Sequence, residues 1–92
     1  MKVALNKDYG GFGLSKEAYE FLGLEWDRYG CAFNDDKLRT DENLIKCIET
    51  LGSKRASGSL AKVCVVDIPD GMEYEIDDYD GYETLREQRP SW

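Results

Sequence analysis

The hydrophobic pattern changes period partway along the chain, and that change restricts the fold more than any other feature. Leu44, Ile45, Ile48 and Leu51 recur at helical spacing, Thr40 or Asp41 is placed to cap the start, and Gly52 closes the end. From residue 61 the spacing is that of strands. The segment AKVCVVDI, residues 61–68, is apolar on both faces, as a central strand covered on both sides would be. Pro69, Asp70 and Gly71 then turn the chain, and Met72, Tyr74 and Ile76 alternate with Glu73, Glu75 and Asp77 as in a half-buried strand. The next turn specifies its own register. If Asp80 and Gly81 form a two-residue hairpin turn, Tyr79 faces Tyr82, Ile76 faces Leu85 and Glu75 faces Arg86, and all three pairs are chemically compatible. The helix-forming composition of ETLREQ keeps a short helix from residue 83 as the rival.

The N-terminal half reads less evenly. KVAL, residues 2–5, is a short strand, and residues 6–13, with glycines at 10, 11 and 13, form a loop. Ser15 is an N-cap, Leu14 can staple onto Tyr19, and Leu14, Ala18, Phe21 and Leu22 share one face until Gly23 stops the helix, predicting a first helix over 16–22. Residues 24–38 fit neither period, and a short strand is expected around 29–33. SKRASGS, residues 53–59, is expected to be a polar, basic loop. The sum is a single small α+β domain, residues 1–92, with two helices packed on a mostly antiparallel sheet of three to five strands that ends in a hairpin. A chain of this length buries only about 60–65% of its unfolded surface, which leaves room for a homo-oligomer.

Composition excludes several functions. The 92 residues include no His, so Ser-His and Cys-His nucleophilic catalysis are unavailable within one chain. No run approaches the roughly 18–20 apolar residues of a membrane span, and MKVALNKDYGG lacks the apolar core of a secretory leader, so an unexported, cytoplasmic protein is expected. Cys31, Cys47 and Cys64 are odd in number without CxxC spacing, and read as reduced thiols, the latter two as small buried hydrophobes. Residues 1–62 balance ten basic against ten acidic side chains, whereas residues 63–92 carry nine acidic ones and only Arg86 and Arg89. The whole net charge of −7 therefore sits in the last third, a field that repels nucleic-acid phosphates and suits a basic protein surface or plain solubility.

Three constellations are candidates for function. YGGFGLSK, residues 9–16, joins a strand to a helix start, where an anion can be held, although it has neither P-loop nor GxGxxG spacing. With the basic loop it gives a ligand-binding set of Lys7, Gly10, Gly11, Gly13, Ser15, Lys16, Arg39, Lys54 and Arg55, provided the two loops converge. Against this, glycines supply turns, and Lys54 and Arg55 complement the C-terminal dipole of the second helix. The acidic ribbon offers Tyr74, Glu75, Asp77, Asp78, Tyr79, Asp80 and Tyr82 as a protein interface, Tyr being enriched at interfaces. Its competing reading is a solvated edge with charged gatekeepers. Asp78, Asp80, Gly81 and Glu87 match part of an EF-hand loop whose first ligand position is Ile76, so no metal is expected. Tyr9, Trp26, Tyr29 and Trp92 are candidates for an aromatic platform or for a small core.

LNKDYGGFGLSKEAYEFLG, RTDENLIKCIETLG and IPDGMEYEIDDYDGYE together resemble a group of short proteins encoded by bacteriophages and prophages. The resemblance spans most of the chain and implies a setting, the cytoplasm of an infected bacterium, where such accessory proteins serve host takeover or counter-defence. Two functions are carried forward: a non-enzymatic protein that occludes a basic host protein through its acidic C-terminal third, and an oligomeric protein that sequesters a nucleotide-type signal in the glycine-rich and basic loops. An enzyme ranks third, with carboxylate or Tyr chemistry as its only acid-base route and a divalent-metal phosphodiesterase as its form. No cofactor, nucleic acid or membrane partner is expected.

Overall fold

The computed structural model describes residues 1–28, 30, 32–33 and 35–87, and it is an α+β fold. The elements are β1 (Lys2–Asn6), α1 (Lys16–Leu22), a 3-10 turn (Asp36–Leu38), α2 (Glu42–Leu51), α3 (Ser53–Ala56), β2 (Val63–Asp67), β3 (Tyr74–Tyr79) and β4 (Tyr82–Glu87). β1 pairs antiparallel with β2, from Lys2 opposite Asp67 to Asn6 opposite Val63, and β3 pairs antiparallel with β4. Four strands are thus present among the described residues, divided into two ribbons where one sheet was expected.

The division has a physical cause. Ala4 and Asn6 lie two apart on β1 and turn their N–H groups away from β2. A third strand would ordinarily accept them. Here Ala4 donates to the carbonyl of Arg39 at 2.9 Å and Asn6 to the Glu83 carboxylate at 2.9 Å, so single groups complete the edge and the ladder stops. β1 is consequently the strand covered on both sides, with Val3, Ala4, Leu5 and Asn6 all essentially inaccessible. β2 was expected in that position. It is half-buried at Cys64, Val65 and Val66 because β1 is its only strand partner among the described residues.

Both long helices end where their caps demand. Ser15 accepts from the Ala18 N–H at 3.1 Å and Gly23 closes α1 with φ of +73°. Asp41 accepts from Asn43 and Leu44 at 2.9 and 3.1 Å, and Gly52 donates to the Ile48 carbonyl. The buried face of α1 differs from expectation at one position. Phe21 is exposed, and Tyr19 is buried instead. Its ring meets Trp26 edge-on at 5.0 Å while its hydroxyl donates to Asp27 at 2.9 Å and accepts from the Ala32 N–H at 2.8 Å. An amphipathic ring with both needs met outcompetes a phenyl ring for the interior.

Two further expectations are corrected. The 53–59 segment begins as the helical turn α3: Gly52, at φ of +84°, breaks α2, and helicity resumes with Ala56 buried. No strand forms at the described positions of 29–33, because Arg28, Gly30 and Phe33 all have positive φ, which a strand cannot accommodate. Tyr29 and Cys31 lie outside the described residues, as do Arg89 and Trp92. The core joins Phe12, Leu14, Ala18, Tyr19, Leu44, Ile45, Cys47, Ile48, Ala56 and Val63 beneath β1. Cys47 is buried and Cys64 half-buried, and burial pushes both thiols above their ordinary titration range. No helix among the described residues is long and apolar enough to cross a membrane.

Candidate interaction surface on the C-terminal hairpin

The hairpin adopts the predicted register, with Tyr79 opposite Tyr82, Ile76 opposite Leu85 and Glu75 opposite Arg86. Asp80 and Gly81 have φ of +51° and +90°, the positive pair that a primed two-residue turn requires, and Asp78 accepts from the Gly81 N–H at 2.7 Å. Directly opposed residues share a face. One face therefore carries Glu75, Asp77 and Tyr79 on β3 with Tyr82, Thr84 and Arg86 on β4; the other carries Tyr74, Ile76 and Asp78 with Glu83 and Leu85.

The second face is turned to the body by a group that sequence reasoning missed. Glu83 is only 3% exposed, and Arg39, at 1%, meets it in a two-pronged ion pair, Nη2 at 2.9 Å from Oε2 and Nη1 on Oε1. The guanidinium also donates through Nε to the Phe33 carbonyl at 2.9 Å and lies 3.8 Å over the Phe12 ring. Around this pair, the Asn6 side chain donates to the Gly81 carbonyl at 2.6 Å, and Lys7 Nζ donates to the Glu83 carbonyl at 2.7 Å and sits over Tyr82. Tyr82 in turn packs on Tyr9 with ring centres 5.4 Å apart. A sequence signal for Glu83 did exist. It lies two residues from Leu85 and so on the apolar face of β4, where a carboxylate requires a cation.

The opposite face is covered at Tyr82 by Tyr9 and Lys7 and exposed toward Asp77 and Tyr79. Tyr79 is 74% exposed, and Asp77 and Asp80 are exposed beside it. Glu75 is held by Arg86, whose Nε lies 3.0 Å from Glu75 and 3.6 Å from Asp77; the hydrogen bond to Glu75, then the two carboxylate charges, raise the Arg86 guanidinium above its ordinary value. Of the seven interface candidates, Glu75, Asp77, Tyr79 and Tyr82 share the outward face and Asp80 sits at its tip. Tyr74 and Asp78 belong to the other face. Farther along the acidic segment, the Met1 amino group binds Asp70 at 2.6 Å and Asp67 at 3.3 Å, and its hydrogen bond to Asp70 holds that carboxyl below its usual range.

The glycine-rich and basic loops do converge, chiefly by backbone. Gly58 donates to the Gly13 carbonyl at 2.9 Å, and Ser15 donates to that of Ala56 at 2.9 Å. A Cβ on Gly10 would fall 2.0 Å from the Leu60 carbonyl oxygen, and one on Gly81 would fall 2.3 Å from the Gly11 nitrogen. These glycines permit close approach between loop, loop and hairpin turn. The polar members of the ligand set are mostly engaged within the fold. Arg39 is buried on Glu83, Ser15 caps α1 and donates to the Arg55 carbonyl, and Arg55 is paired with Glu17, whose carboxyl it holds below the usual range. Lys16 and Lys54 are exposed. A pocket of about 370 Å³ beside the junction is lined by Asp8, Ser53, Lys54, Ser57 and Lys62. A larger groove, about 480 Å³, lies between the start of β1 and α2, lined by Met1, Lys2, Thr40, Ile45, Lys46 and Glu49.

Tyr9 and Trp26 serve different partners, Tyr82 and Tyr19. Among the described residues no three Cys, Asp or Glu side chains cluster as metal ligands would. No family model, curated protein or solved structure matches the chain.

Proposed function

We propose that this is a non-enzymatic binding protein whose C-terminal hairpin occludes a basic surface of another protein. In the setting implied by the phage resemblance, that protein belongs to the infected bacterium and the outcome is host takeover or counter-defence. The observation that carries the reading is the pairing of a preformed, clamped hairpin with an outward face of Glu75, Asp77, exposed Tyr79 and Asp80. Rigid presentation lowers the ordering cost of association, Tyr supplies contact area, and the carboxylates steer a basic partner.

The test is affinity purification from the producing bacterium of the protein and of an Asp77→Lys, Tyr79→Ala, Asp80→Lys variant. A specific protein should copurify with the parent at about 50 mM salt, be largely released at about 500 mM, and be absent from the folded variant. Equal recovery with both would refute the reading. A second reading, sequestration of a nucleotide-type signal, draws support from the convergence of the two loops beside Lys54 and Lys62. It weighs less because Arg39, Arg55 and Ser15 are engaged within the fold, and it predicts a nucleotide-dependent rise in melting temperature that Lys54→Ala removes.

A further inference from the structure

Among the described residues, no strand pairs with the outer edge of β3. The residues flanking a two-residue hairpin turn form a hydrogen-bonded pair, and such pairs alternate along the ladder, so Tyr79, Asp77 and Glu75 direct their N–H and C=O groups to β4. Tyr74, Ile76 and Asp78 direct theirs away. The same alternation turns the Glu83 carbonyl away from β3, where Lys7 meets it. β4 is thus covered on its outer side by Asn6 and Lys7, whereas no backbone partner reaches Tyr74, Ile76 or Asp78 among the described residues. Segment 74–79 has neither proline nor bulge to blunt that edge, and Glu75, Asp77 and Asp78 charge it.

Charge also selects the occupant. We infer that β3 accepts an extended segment of the partner by strand addition, and that this segment alternates Lys or Arg with small apolar residues. Side chains of an added strand share the faces of the β3 residues they oppose. Alternate residues fall beside Glu75 and Asp77 and meet carboxylates. The intervening ones fall beside Tyr74 and Ile76, next to a pocket of about 290 Å³ lined by Lys37, Tyr74, Glu75 and Ile76, where the ring and the aliphatic side chain suit apolar residues. A second copy of this chain is a poor occupant, because antiparallel pairing of β3 with itself about Ile76 sets Glu75 of each copy against Asp77 of the other, and like charges across a ladder destabilise it. The inference rests on reading the hairpin as a binding surface, and adds the partner's conformation and side-chain pattern.

The experiment titrates the isotopically labelled full-length protein with a synthetic peptide of about ten residues alternating Lys and Val, and with the same peptide N-methylated on its pairing amides. The unmodified peptide should protect the amides of Tyr74, Ile76 and Asp78 from exchange, and methylation should weaken binding tenfold or more. Equal affinity for both peptides, with no amide protection, overturns strand addition but leaves an acidic docking face. Failure of both peptides also overturns it, and the copurification test above then decides separately whether the hairpin binds at all. Concentration-dependent protection of the same amides without peptide would show self-pairing and overturn the choice of occupant.

Discussion

Arg39 and Glu83 illustrate how a residue's role depends on its surroundings. Both are charged and belong to segments that read as surface, yet they form the most deeply buried ion pair described here. Removing one partner strands the other charge, which costs about 3–5 kcal/mol, a large part of the roughly 5–15 kcal/mol available to a small domain. Glu83→Ala should therefore lower the urea midpoint severely and release the hairpin, since it also orphans the Asn6 N–H. Replacing both, as Arg39→Met with Glu83→Leu, should recover part of that loss; a double variant no more stable than Glu83→Ala would show that Asn6 dominates. A milder residue-level effect concerns Cys47. Its raised thiol pKa and full burial predict that alkylation of this cysteine at neutral pH proceeds only through unfolding, so its rate should rise with urea while a surface thiol's would not.

Elements with local punctuation were legible in the sequence, and those set by distant contacts were not. Ser15 and Gly23 delimited α1, Asp41 and Gly52 delimited α2, and Asp80–Gly81 fixed the hairpin register, because each signal acts within a few residues. The exchange of central role between β1 and β2 depended on Arg39 and Glu83, 44 residues apart, completing the β1 edge. α3 depended on how Gly52 restarted the chain. Of the candidate site, the outward face could be read from pairing parity, but the engagement of Arg39, Ser15 and Arg55 within the fold could not. Two predictions belong at this scale. Gly81→Ala places a Cβ against Gly11 at positive φ and should cost about 2 kcal/mol or more in urea unfolding, with loss of hairpin docking. The exposed Glu17–Arg55 pair ties α1 to α3 with a lowered Glu17 pKa, so its small contribution is present above the unfolded carboxyl range and disappears as pH falls through the folded value. Arg55→Ala should thus reduce stability slightly at neutral pH and by less as the pH is lowered through the carboxyl range.

At the scale of the whole molecule, the outline is elongated. The radius of gyration is 13.1 Å, against about 12 Å for a compact chain of this length, and the extents are 46 × 26 × 18 Å. Stability should be distributed accordingly. Amides of β1 and α2, beneath the joined core, should exchange only on global unfolding, whereas those of Tyr74, Ile76 and Asp78 on the open edge should exchange near the unprotected rate. A clamped hairpin base carries an exposed acidic face, and that face is the proposed site of binding. The most direct test is to add the copurifying partner to labelled protein and map the perturbed amides. Changes should concentrate over residues 74–82, with the clamp at Arg39 and Glu83 intact. Changes centred instead on Lys54 and Lys62, with the hairpin unaffected, would contradict it.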